Sequence, residues 1–152
     1  MTSMALYVVL FFTFSAFAIA VSSNFNYQTL SEKGKMWVNE QFDKLQYNMV
    51  KSAKESDDVS AIAGKVVFSN NDEYEYDATN KRILKNGGIV AMDVEKFEII
   101  TPADINTSNR FSSDIDNNLS NIALNIELKK YGNEKVTQLF ITAGDGIYEN
   151  IQ

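Results

Sequence analysis

Positions 4–21 form one apolar block whose only polar groups are the hydroxyls of Tyr7, Thr13 and Ser15, and the first charged residue of the chain is Glu32. At about 1.5 Å of rise per residue, 18 to 20 apolar positions reach across roughly 30 Å of hydrocarbon, so the block is long enough to span a bilayer as a helix. Thr13 and Ser15 can return their hydroxyls to helix carbonyls, which keeps them cheap in such a span. After Ser22 and Ser23 the pattern changes. Leu30, Trp37, Val38, Phe42, Leu45 and Met49 recur at spacings near three and four, which places them along one face of a helix, while Glu32, Lys33, Lys35, Glu40, Asp43 and Lys44 take the other sides. The spacing predicts a single helix of about fifty residues, apolar all round at first and amphipathic later, ending near residues 56–58. Gly34 inside it marks either a bend or a close packing contact.

Beyond residue 60 the period drops towards two. Strands are predicted over 64–69, 73–77, 81–85, 89–92, 97–100, 122–129 and 136–142, with turns at 77–80, 86–88 and 131–133. Asn86-Gly87 supplies the positive φ angles of a type I′ hairpin turn. Ile122, Leu124, Ile126 and Leu128 alternate with Ala123, Asn125, Glu127 and Lys129, the clearest half-buried strand in the chain. Short connections imply an antiparallel meander. The expected fold is therefore α+β, a long N-terminal helix packed on a small antiparallel β-sheet of about five to six strands. It divides into an apolar half-helix (1–24), an amphipathic half-helix (25–57) and a sheet domain (60–152). Gly144-Asp145-Gly146 is expected to loosen the end of the chain. The polar stretch 101–118 has the length of a loop that binds or protrudes.

Composition narrows the chemistry. Cysteine and histidine are absent from all 152 residues, which removes thiolate nucleophiles, imidazole bases, disulfides and Cys/His metal sites. A net charge of −6 argues against nucleic acid or an anionic surface as partner. No catalytic residue set and no cofactor site emerges, and the chain is not expected to be an enzyme.

Three constellations of side chains have both a chemical and an ordinary structural reading. Asp114, Asp116 and Asn118 have the early spacing of a calcium loop, but Leu119 and Asn125 stand where its glycine and bidentate glutamate belong, so calcium is at most a weak candidate. Glu73, Glu75 and Asp77 line one face of a strand, most simply a wet face. Trp37 with the tyrosines would suit a sugar-binding platform, yet its helical core spacing favours packing.

The order of parts resembles a type IV pilin or pseudopilin. Met1-Thr2-Ser3-Met4-Ala5 keeps the threonine and apolar character of that family's processed N-terminus. The run Tyr74-x-Tyr76-Asp77 through Arg82-Ile83-Leu84 and Asn86-Gly87-Gly88 to Val94-Glu95-Lys96-Phe97-Glu98-Ile99 is similar to the hairpin core of minor pilins and minor pseudopilins. The resemblance implies that Met1 is the residue left after leader cleavage, N-methylated in the family manner. It also implies that the chain waits in the cytoplasmic membrane as a single-pass protein and then enters an extracellular filament whose partners are other pilin or pseudopilin subunits. Ala5 stands where the family carries a glutamate, which implies a minor or tip position. On this resemblance, Ala5, Leu6, Val9, Phe12, Ser15, Ala16, Ala18 and Ala20 are the expected membrane and filament packing positions, with small residues allowing close helix approach. Leu30, Trp37, Phe42, Leu45 and Met49 are the expected contacts of helix with sheet. Two other arrangements fit the N-terminal block: a signal peptide cut after Ala18-Ile19-Ala20, and a plain anchor, either of which would deliver a ligand-binding module.

Overall fold

The computed structural model describes the backbone of residues 2–100, 121–144 and 146–150. The expected loop 101–118 with its calcium candidates Asp114, Asp116 and Asn118, and Met1, lie outside the described residues.

One helix, α1, runs without interruption over Thr2–Lys54, 53 residues or roughly 80 Å. No proline falls within it, and Lys51 and Lys54 in its last turn complement the negative end of the helix dipole. Two of its terminal carbonyls, those of Lys51 and Ala53, find donors beyond the helix. Glu55 N–H donates to Lys51 O, Ser56 N–H to Ala53 O, and Gly144 N–H reaches Ala53 O at 2.8 Å from the far end of the chain.

Among the described residues nine strands follow, more than the five to six expected, and they divide into two antiparallel sheets. The first holds β1 (Val59–Ile62), β2 (Lys65–Phe68), β3 (Glu73–Asp77), β4 (Arg82–Lys85) and β5 (Gly88–Met92) in sequential order. The second holds β6 (Val94–Ile100), β7 (Asn121–Lys130), β8 (Asn133–Thr142) and β9 (Gly146–Asn150), again sequentially. The α+β architecture of a long helix on antiparallel sheet is as expected. The final segment pairs with β8 as a strand where a loosened end was expected, because Gly144 at φ 83 turns the chain back on itself.

The turns explain the register. Asn86 (φ 49) and Gly87 (φ 83) connect Lys85 to its cross-strand partner Gly88, the anticipated type I′ geometry. Ala63-Gly64 and Tyr131-Gly132 repeat that pattern between β1 and β2 and between β7 and β8. A single residue, Asp93 at φ 58, carries the chain from the first sheet to the second.

The helix packs on β5 of one sheet and on β7, β8 and β9 of the other. Val38, Phe42, Leu45, Met49 and Ala53 are buried there against Val66, Phe68, Tyr74, Ile83, Leu124, Ile126 and Leu139. Each large helical side chain so buried contributes on the order of 1.5–3 kcal/mol. The Lys135 ammonium sits 4.1 Å from the Phe42 ring centroid and covers its outer side. Leu30 does not belong to this contact, contrary to expectation: it is 46% exposed, because the sheets reach the helix only from Ser31 onward. Gly34 is the close contact. A Cβ at that position would lie 2.5 Å from Lys130 O and 2.8 Å from Asn133 Nδ2, so the β7–β8 turn rests directly on helix backbone.

Candidate functional site

Two surfaces of the molecule call for explanation, the bare half of α1 and the shoulder where α1 meets the β7–β8 turn.

Among the described residues, nothing covers the apolar half of the helix. Leu6, Val9, Phe11, Phe12, Phe14 and Phe17 are all exposed, as are Ala5, Ala16, Ala18 and Ala20, while Ser15 is half-buried. The Thr13 hydroxyl donates to Val9 O and Leu10 O at 3.0 Å, so its polarity is spent within the helix as anticipated. The segment is long and apolar enough to cross a membrane, and none of its most apolar window is buried within the molecule. An apolar surface of this extent marks a region covered by lipid or by another protein.

The expected packing positions do not form one surface. At 100° per residue, Ala5, Val9, Phe12, Ala16 and Ala20 share a face, whereas Ala18 lies on the opposite side, with Ser15 and Leu6 on the flanks. Followed down the helix at spacings of three and four, the Ala5 to Ala20 face continues into Ser31, Gly34, Val38, Leu45 and Met49. The face that carries the sheets below is thus the one that bears small residues above.

At the shoulder, Trp37 is only half-buried. Its indole N–H donates to Asp93 Oδ2 at 2.7 Å, and the other oxygen of Asp93 pairs with Lys130 Nζ at 3.1 Å. The same ammonium lies 5.6 Å from the Trp37 ring and 5.3 Å from the Tyr131 ring. Lys33, Met36, Trp37, Glu40, Lys130 and Tyr131 together line an open groove of about 430 Å³. Asn133 Nδ2 donates to Ser31 O at 2.8 Å and pins the turn to the helix beside it.

A third cluster closes the other end of the helix. Ser52 is fully buried, and its hydroxyl meets Asp72 Oδ2 at 2.6 Å and the Tyr74 hydroxyl at 2.8 Å. Lys85 Nζ reaches the same Asp72 oxygen at 2.9 Å. Burial pushes the Asp72 carboxyl up, but hydrogen bonds from Ser52, Lys85 and Asn70 outweigh it and hold the group below its usual value. Burial raises the Tyr74 hydroxyl. Ser52 has no path to a substrate, so this network fastens helix to sheet.

The acidic face of β3 is solvated and paired: Lys65 bridges Glu73 and Glu75, and Arg82 Nε holds Asp77 at 2.8 Å. Among the described residues no group of three acidic side chains converges as a metal site. Sequence reasoning named Trp37 with the tyrosines, without singling out Tyr131, and missed Asp93 and Lys130 beside it. The available signal was the Tyr131-Gly132 turn, which places a tyrosine at an exposed reversal of the chain. Comparison with family models, curated proteins and solved structures finds no match to this chain.

Proposed function

We propose that the chain is a structural subunit of a type IV pilus-like filament, a minor pilin or pseudopilin, held in the membrane by the first half of α1 before assembly. The observation that carries this reading is the continuity of the helix. One rod runs from an uncovered apolar half directly into the half that bears the sheets, with no break between Ala20 and Leu30.

Mechanically, such a rod lets a subunit exchange surroundings without refolding. In lipid, apolar area alone supplies little association energy, so helices select each other by close packing through small residues. Drawn out of the bilayer among other subunits, the same surface is held by the hydrophobic effect, at roughly 25 cal/mol per Å² removed from water. The absence of a carboxylate at Ala5 spares this subunit a buried charge in the membrane and suits a position where no neighbour needs that pairing. The sheets serve as the displayed head, and no catalytic role is assigned to them.

The decisive experiment is to shear surface filaments from cells of the chain's natural host and determine the mass of the chain recovered. Co-purification of a chain that retains the apolar half with other filament subunits is the expected result. Recovery of a soluble chain beginning at Val21 would show a cleaved export signal and overturn the reading.

A further inference from the structure

We propose that the shoulder groove between α1 and the β7–β8 turn is a binding site for a neutral pyranose oligosaccharide. This inference does not depend on the filament reading, since an anchored or a filament-borne head presents the same groove.

The groove's volume of about 430 Å³ lies within the range of small-molecule sites, and its lining is mainly the side chains of Trp37, Met36 and Tyr131. Met36 is 71% exposed and Tyr131 57% exposed, so apolar surface is offered to solvent where a wholly structural contact would have buried it. The indole ring and the backbone that carries the tyrosine are also held in place. Trp37 is fixed by its bond to Asp93, and Tyr131 is carried on a two-residue turn seated against Gly34. An indole held this way stacks on a ligand without losing rotamer freedom at the moment of binding.

Charge then selects the ligand class. Lys130 is already neutralised by Asp93. Lys33 and Glu40, at opposite ends of the helical lining, make no hydrogen bond or ion pair among the described residues, and their charges cancel. A phosphate or a uronate would find no excess of positive charge here. Hydroxyls of a neutral sugar, in contrast, can accept from the Lys33 and Lys130 ammoniums and donate to the Glu40 carboxylate while the C–H faces of the ring lie on Tyr131 and Trp37.

Trp37 is the single tryptophan of the chain, so its emission reports on the groove alone. The test is a titration of the full chain, in a detergent without a sugar headgroup, with maltotriose, cellotriose and chitotriose. A saturable change with at least one of them is expected, half-complete on the order of 1 mM. Tyr131→Asn should weaken it about tenfold, the worth of one aromatic contact. Asparagine tolerates the left-handed backbone at that position (φ 48), so this variant keeps its fold and its melting midpoint serves as the control.

Four results would overturn the proposal. They are no change with any of the three sugars, an unaltered response in Tyr131→Asn, tighter binding of a galacturonate trimer than of the neutral sugars, or a signal that follows protein concentration and so reports a second copy in the groove. None of these touches the shear experiment above, so the two readings fail separately.

Discussion

Trp37 and Asp93, 56 residues apart in sequence, meet at 2.7 Å, and the aspartate in that pair is also the only residue between the two sheets. The helix, the first sheet and the second sheet are therefore tied at one point. The backbone carbonyl of Asp93 accepts from Lys129 N–H of β7 at 3.0 Å, its carboxylate holds indole and ammonium, and its backbone takes a left-handed turn.

Asp93→Ala should accordingly cost more than an ordinary surface substitution. It removes a charge-assisted hydrogen bond, about 1.5–3 kcal/mol, and places alanine in a left-handed conformation at roughly 1–2 kcal/mol. A total loss of about 2.5–5 kcal/mol is expected in urea unfolding of the head. Trp37→Phe keeps most of the packing and leaves Asp93 paired with Lys130, so a loss of about 1–2 kcal/mol is expected.

Gly34→Ala sets two effects against each other. Alanine improves helix propensity by about 1 kcal/mol. The new Cβ, however, would lie 2.5 Å from the Lys130 carbonyl, a backbone atom that cannot swing away. Overpacking of this kind costs about 1–3 kcal/mol, so net destabilisation is expected, measured as a lower urea midpoint. A gain in stability would show that the turn is free to lift off the helix.

Acid should loosen the far end of the helix first. The folded Asp72 carboxyl is held below the ordinary aspartate value of 3.8, so its contribution is present above that pH and disappears as the pH falls through the lower, folded value. Urea midpoints measured from pH 5 downward should therefore fall below about pH 4. The fall should be shallower in Asp72→Asn, and an identical slope in both proteins would exclude Asp72 as its source.

Ala16→Leu and Ala18→Leu should both leave membrane insertion intact, because each adds apolar bulk. Both should lower recovery of the chain with partner subunits in a pull-down, since close approach of helices depends on small side chains. Ala16 shares the head-bearing face and Ala18 opposes it, so comparison of the two variants identifies which side meets a neighbour. Unchanged recovery in both would count against packing through small residues.

Periodicity fixed the direction of the buried face of α1 well, and Phe42, Leu45 and Met49 lie on it fully buried. It could not say how far along the rod the partner extends, which is why Leu30 continues the pattern yet faces solvent. The alternation of β7 was legible because one side of that strand is wholly apolar. Strand β1 was missed because four residues containing Ser60 and Ala61 carry too little alternation, and β9 because the glycines before it read as an ending when they form a turn. At the shoulder, Asp93, Lys130 and Tyr131 are brought to Trp37 by register and turn geometry, relations between distant segments that no local window contains.

The seam between rod and head has a mechanical meaning. A load applied along the helix axis reaches the sheets through the turn resting on Gly34, the side chains from Val38 to Met49, and the Ser52 network, all side by side along the direction of pull. Such a joint is sheared as a whole instead of being unzipped contact by contact, so tension on the tail is shared along its entire length.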